Sequence, residues 1–404
     1  SPSNPDFLVA GSVNLWKSAD GGRNWSGASF NRSTTLVHPD FHEMAWLPGS
    51  SSVLFACHDG GLHRSDDLTE SWTDLSNGLG IHQVYRIGID RETENRLALG
   101  AQDNGSSLLD SDSRWKTIGG GDGMECLIDP HDPNILYSGW QFGNMTRSNN
   151  NGSSSTRIFV NTSGNFAWIA PLVMDPIDSG TLYTASDRVY KSTNRGANSN
   201  QISPVLTSES IRTLRIAPSN PDIIIVSDGE LLYKTTDGGS NWLTLPNPGF
   251  QSYITDIAIH PSDSNRLWIS FGGYGRWNMG FAWLNLPYEI DKPKVFHSMD
   301  GGSNWTDISG DLPNIPANCI LTDAEGSGIY LGTDLGVFYS ENADGDWKRF
   351  DNGLPNIIVT EMEIQQSSGK IYAATYGRGI WVSPLARTEK ILPPLQFTAK
   401  ANRN

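Results

Sequence analysis

Apolar residues along this chain come in short runs, alternating with polar positions or unbroken for about five residues, and the runs are separated by Gly, Pro, Asn and Asp. A period of two places successive side chains on opposite faces of a strand, and these separators are turn formers. The stretch Thr213-Leu-Arg-Ile-Ala217, Asp222-Ile-Ile-Ile-Val-Ser227, Leu231-Leu-Tyr-Lys-Thr235 and Asn241-Trp-Leu-Thr-Leu245 reads as four consecutive strands, here A to D, rich in β-branched and aromatic residues. The same division yields seven full four-strand periods, preceded by a B-C-D set over residues 6–30 and followed by an A-B-C set over 359–384. The pattern predicts an all-β protein of four-stranded antiparallel sheets.

A signature marks each period: Ser or Thr, any residue, Asp, any residue, Gly, two residues, Trp. It is intact at Ser18, Asp20, Gly22 and Trp25, at Thr235, Asp237, Gly239 and Trp242, and at Ser298, Asp300, Gly302 and Trp305. Degenerate copies surround Trp72, Trp115 and Trp347, and a copy without tryptophan reads Ser192-Thr-Asn194-Arg-Gly196. The spacing from Trp25 to Trp72 is 47 residues, from Trp72 to Trp115 43, and from Trp305 to Trp347 42, the period of a propeller blade. In such a turn the Asp side chain accepts backbone N–H groups, Gly takes a backbone angle other residues avoid, and Trp packs between blades. Its aspartates are therefore read as structural.

This hairpin resembles the Asp-box (BNR) repeat of sialidases, of the sortilin-like Vps10 domain and of xyloglucanase-type glycoside hydrolases. The resemblance implies a β-propeller. Counting strands gives about eight and a half blades, so eight is the expected number within a range of seven to ten. The opening Ser1-Pro-Ser-Asn-Pro-Asp-Phe-Leu-Val-Ala-Gly11 matches the interior Ala217-Pro-Ser-Asn-Pro-Asp-Ile-Ile-Ile-Val-Ser227, so residues 1–386 are expected to form a propeller lacking its N-terminal start, with 387–404 as a linker or tail. The elements Gly310-Asp-Leu-Pro-Asn314, Tyr330-Leu-Gly-Thr-Asp-Leu-Gly-Val-Phe338, Asn352-Gly-Leu-Pro-Asn356 and Ala374-Thr-Tyr-Gly-Arg-Gly-Ile-Trp381 are similar to sortilin/Vps10-like propellers in secreted proteins of Bacteroidota-type bacteria. That similarity implies secretion, attachment to the cell surface and a C-terminal sorting domain of type IX secretion.

Composition narrows the partners. With 29 Lys+Arg against 44 Asp+Glu the net charge is -15, which repels nucleic acid and anionic membranes. No run approaches the roughly 18 apolar residues that cross a bilayer. Three cysteines, Cys57, Cys126 and Cys319, cannot all pair with one another and sit in apolar strand-like runs, as buried free thiols do.

In an up-and-down blade the A-B and C-D turns share one face, and the B-C and D-A connections share the other. The Asp-Gly hairpins are C-D turns, so functional loops belong on the opposite face. There the B-C loop Gly100-Ala-Gln102-Asp103-Asn104-Gly105 and the D-A connection Gly119-Gly-Gly-Asp122-Gly123-Met-Glu125 are expected to adjoin. Trp140-Gln141-Phe142-Gly143 and Tyr376-Gly-Arg378-Gly379 would extend a polar ring around the channel mouth. Read plainly, Asn-Gly and Gly-Gly-Asp-Gly are also tight turns with polar filler. A third feature is the 63-residue interval from Trp242 to Trp305, whose excess is a B-C loop carrying Tyr274, Arg276, Trp277 and Trp283. These aromatics could stack on sugar rings or bury one another as a lid.

Two functional readings follow. The first is a secreted or cell-surface propeller that binds glycan or protein without catalysis, using Gln102, Asn104, Trp140, Gln141, Tyr376, Arg378 and the inserted loop. The alternative is a glycoside hydrolase or polysaccharide lyase working through Asp103, Asp122 or Glu125, since glycosidases use paired carboxylates. Sialidase chemistry does not fit, because the nearest Arg-Ile-Pro-like element, Arg215-Ile-Ala-Pro218, lies mid-chain inside a strand. Xyloglucanase-type enzymes place their cleft between two propellers, and 404 residues are few for two. No cofactor is expected: His58 and His63 lack a third ligand, and the acidic runs at 110–112 and 342–346, where a structural calcium would be sought, lack the glycine and glutamate of a calcium loop.

Overall fold

The computed structural model describes residues 1–31, 34–248, 253–272, 293–342, 345–350, 353–386 and 398–399. The inserted-loop residues Tyr274, Arg276, Trp277 and Trp283 lie outside the described residues. Among those described, every regular element is a strand, and the chain divides into a unit of residues 1–81 and a unit of residues 82–400.

The first unit holds a three-stranded sheet (Leu8–Gly11, Leu15–Ser18, Ser26–Gly27), a ribbon of Phe30–Asn31 with Thr34–Thr35, and a four-stranded sheet (Phe41–Trp46, Leu54–His58, Gly61–Ser65, Thr73–Asp74). Leu15, Ala28, Val37, Phe41 and Ala56 bury their side chains together, with Trp72 packed against them.

The second unit contains seven consecutive four-stranded antiparallel sheets, each ordered as its strands occur in the chain. Their first strands are Val84–Ile89, Gly123–Ile128, Leu172–Met174, Thr213–Ala217, Ile254–Ile259, Ala317–Thr322 and Val359–Gln365, and the sheets are called blades 1 to 7 accordingly. Second strands such as Leu97–Ala101 and Ile329–Thr333 are buried at every position. Neighbouring blades cover both of their faces, which is why these strands are apolar throughout instead of alternating.

The seventh blade packs on the first. One apolar cluster joins Val84, Ile87 and Leu99 to Tyr372, Ala374 and Ile380. Thr360 Oγ1 donates to the Val84 carbonyl at 2.7 Å, Gln365 Nε2 donates to the Asp90 carbonyl, and Gln83 forms a β-bridge with Tyr376. The same hydroxyl latch recurs where Thr213 Oγ1 donates to the Thr255 carbonyl and Thr255 Oγ1 to that of Ala317. Seven blades therefore close a ring, one fewer than the expected eight and within the range of seven to ten, because the sheets of residues 1–81 belong to a separate unit: the second unit is a β-propeller.

The Asp-Gly hairpins show their physics directly. Thr235 Oγ1 accepts the Gly239 N–H at 3.0 Å and donates to Asp237 Oδ1 at 2.8 Å, while that carboxylate accepts both the backbone N–H and the amide of Asn241. Gly239 has φ 103°, and a Cβ there would meet the Ile202 carbonyl oxygen at 2.4 Å. The close approach serves the blade interface, because Trp242 Nε1 donates to that carbonyl of the preceding blade. Trp305 reaches back to Pro246 and Trp347 to Ile308 in the same way. Asp20, Asp237 and Asp300 sit in equivalent turns and are held by their own hairpins.

Candidate functional site at the channel mouth

The opposite end of the ring carries a hydrogen-bonded polar cluster. The B-C turn of blade 1 folds against the connection into blade 2: Gly105 N–H donates to the Gly121 carbonyl at 2.9 Å, and Asp103 N–H donates to Asp122 Oδ1 at 2.7 Å. Glycine makes this possible, since a Cβ on Gly123 would lie 2.1 Å from the Gly105 oxygen. Asp122 is 8% exposed, and its second oxygen accepts the Gln141 amide from the B-C turn of blade 2. Asp103 and Phe142 occupy those two turns with positive φ, 58° and 61°, a conformation that costs energy outside glycine and is concentrated at binding sites.

Beside Asp122 lies a phenol and amide relay. Tyr85 Oη donates to Gln102 Oε1 at 2.9 Å, Tyr376 Oη donates to the same oxygen, and Trp168 Nε1 donates to Tyr85 Oη at 3.4 Å. Burial raises the Tyr85 phenol above its usual range, so it stays a donor at physiological pH. With its carbonyl held by two phenols, Gln102 has its NH₂ group turned away from them. Asn104 Nδ2 closes the turn on the Gln102 carbonyl. Aromatic surface flanks the cluster: Phe142 is 57% exposed and meets Trp168 edge to face at 5.2 Å, and Arg157 lies 5.9 Å from the Trp140 ring centre.

Below the mouth, the first strands line the channel with charge. Arg86 Nε bonds Glu125 at 3.0 Å and lies 3.8 Å from Glu361, whose other oxygen accepts the Ile87 N–H. Arg215 pairs with Asp256 at 2.6 Å, and Asp256 also accepts the Ile320 N–H. Burial raises the carboxyl groups of Glu125 and Glu361 above their ordinary value and pushes Glu363 up to about 7.

Of the three acidic residues nominated for catalysis, Asp103 and Asp122 meet at the mouth through the Asp103 backbone N–H, while Glu125 is drawn into the channel wall by Arg86. Gln102, Asn104, Gln141 and Tyr376 join the mouth, with Trp140 on its flank. Arg378 is exposed on the blade 7 turn, its carbonyl accepting the Trp381 indole. Sequence reasoning missed Tyr85 and Trp168. Tyr85 reads as one more strand residue, and Trp168 lies in a connection without turn signature; the Asn165-Phe-Ala-Trp168 aromatic pair was the available signal. Arg215 lies in the channel wall, paired with Asp256. Among the described residues no group of three or more His, Cys, Asp or Glu could hold a metal ion, and no helix is long and apolar enough to cross a membrane.

The ring and its mouth define the class as a seven-bladed β-propeller, and a solved structure agrees: YCF48 from Cyanidioschyzon merolae superposes with a TM-score of 0.56 over 78% of this chain and 98% of that one, at 10% identity. No family model matches the chain. Its relatives by sequence include a xyloglucanase of Paenibacillus sp, 23% identical over 355 residues, covering 75% of this chain and 31% of the relative. A probable oligoxyloglucan-reducing end-specific xyloglucanase of Neosartorya fischeri is 20% identical over 332 residues, covering 71% and 34%. The chain thus spans about a third of the length of these relatives. These matches correct the expectation of a propeller that binds without catalysis: the similar proteins carry the names of glycoside hydrolases. The physical ground for the mistaken expectation was that no catalytic pair is spelled out along the chain, whereas the mouth is assembled from loops of different blades.

Proposed function

We propose that this chain is the catalytic propeller of a secreted glycoside hydrolase acting on xyloglucan or a similar extracellular polysaccharide. The observation that carries the proposal is Asp122, a buried carboxylate at the mouth of the ring, in a chain whose relatives are named xyloglucanases. Glycosidic cleavage needs one carboxyl group to protonate the leaving oxygen and another to activate water or attack the sugar. In this reading Asp122 is one of the pair, oriented by the Asp103 N–H and the Gln141 amide, and Asp103 is the nearest candidate for the other. Gln102, Asn104 and Tyr376 would bond sugar hydroxyls, and Trp140, Phe142 and Trp168 would offer apolar faces to the ring carbons.

The test is release of reducing ends from purified xyloglucan by the full chain, compared with Asp122→Asn. Loss of an acid or base of this kind lowers turnover about 10²–10⁴-fold. A variant as active as the wild type removes Asp122 from the reaction, and a wild type inert on xyloglucan and related glucans overturns the hydrolase reading.

A further inference from the structure

The channel carries a second recognition element, at the entry to blade 4, whereas Asp122 stands at the entry to blade 2. Arg212 stands just before the first strand of blade 4, at the same end of the ring as the mouth, and lines a small polar recess that opens to solvent. Three guanidinium groups and three carboxylates line that recess: Arg86, Arg212 and Arg215 against Glu125, Asp256 and Glu361. All three carboxylates are taken by two of the arginines, Glu125 and Glu361 by Arg86 and Asp256 by Arg215. Arg212 is left over. Its Nε is buried without a hydrogen-bond partner, and its guanidinium lies 5.0 Å from the Tyr253 ring centre. The acids that act on it from a distance are Glu209 and Asp228, and the Asp228 carboxylate is committed to the Thr207 hydroxyl and the N–H groups of Glu230 and Leu231.

A guanidinium taken partly out of water without a counter-ion is costly, and burial accordingly weakens its hold on the proton. An incoming anion offsets that cost. The planar fork, held over an aromatic ring, matches the two oxygens of a carboxylate. The chain as a whole, at -15, disfavours polyanions, so a single carboxylate on an otherwise neutral body suits the site better than a phosphate chain. The amide of Asn318, which also lines the recess and gives one hydrogen to Asp334, has a second to offer.

We infer that Arg212 and its recess form a binding site for the carboxylate of an acidic sugar, a uronate. The inference does not rest on hydrolysis: a chain that cleaves nothing keeps the site, and loss of cleavage in Asp122→Asn leaves it untouched.

The experiment is calorimetric titration of the full chain at neutral pH with D-glucuronate, D-glucose and inorganic phosphate. Glucuronate is expected to bind at least about ten-fold more tightly than either of the others, and Arg212→Gln to abolish the preference. Because Arg212 is part-buried, a second measurement uses the unaltered protein: glucuronate should slow phenylglyoxal labelling of the Arg212 peptide and leave an exposed reference, the Arg378 peptide, unchanged. Equal binding of glucose, binding of phosphate as tight as glucuronate, or labelling of Arg212 indifferent to glucuronate would each overturn the inference.

Discussion

Each Ser or Thr that opens an Asp-Gly hairpin is a small structural device. Ser298 is 1% exposed, and its Oγ accepts the buried Gly302 N–H at 2.8 Å while donating to Asp300. Ser298→Ala leaves that N–H unpaired, so a loss of about 1–3 kcal/mol in denaturant unfolding is expected, with the mouth unaffected. The thiols divide by environment. Cys57 is exposed, whereas Cys126 and Cys319 are buried, Cys126 being pushed up to about 12 and Cys319 well above its ordinary value. Reaction of the native chain with a thiol reagent at pH 8 should therefore modify one cysteine, identified as Cys57 by peptide mass, and three only after unfolding.

At the scale of elements, titration separates the two units. Glu363 lines the channel with Arg215 and Arg91 as its cations and Glu125 and Asp256 as like charges, and its folded value of about 7 lies above the ordinary 4.5. Below about pH 4.5 the group is protonated in folded and unfolded chains alike and the fold carries no penalty. As pH rises towards 7 the unfolded chain releases a proton that the folded one keeps, so stability declines through this window. Glu363→Gln should flatten the decline and raise the melting temperature at pH 8 by roughly 2–4 °C. In the first unit the sign is reversed. His58 Nε2 and His63 Nδ1 share a hydrogen bond at 2.8 Å, and burial followed by the charge of His63 and His38 lowers His58 to about 4 from 6.5. Its neutral form supports the sheet, with the contribution complete above pH 6.5 and lost as pH falls through about 4. Acid should therefore loosen residues 41–74 first, measurable as amide exchange across Leu54–His58 and Gly61–Ser65.

For the whole molecule, the second unit closes on itself through contacts between blades 1 and 7 that involve residues 82–384 alone, such as Thr360 to Val84 and the cluster of Ile87 with Tyr372. Residues 82–404 expressed alone should unfold in one cooperative calorimetric transition. Tyr372→Ala removes a ring that is 1% exposed at the closing seam, and a loss of about 3–5 kcal/mol is expected by analogy with buried aromatic truncations. If the truncated chain melts broadly without a cooperative peak, closure depends on the first 81 residues.

Much of this architecture was legible from local chemistry. The four strands read over 213–245 appear as Thr213–Ala217, Asn220–Ser227, Leu232–Thr235 and Leu243–Leu245, because alternation, β-branching and turn residues all act within a few positions of the chain. The Asp-Gly turn is equally local, since Thr235, Asp237 and Gly239 satisfy one another. The convergence of the Gln102 turn with Asp122 could be inferred too, from which connections share a face. Closure could not: that seven blades meet, with Thr360 latched to Val84, depends on the small rotation between neighbouring sheets summed around a ring, which no single repeat encodes. Nor could the fate of individual charges. Glu125, three residues from Asp122, is claimed by Arg86 of another blade, Tyr85 and Tyr376 meet on one amide across 291 positions of chain, and Arg212 is left without a carboxylate. Partners of this kind are chosen by proximity in space, and proximity at the axis of a ring is settled by tertiary structure.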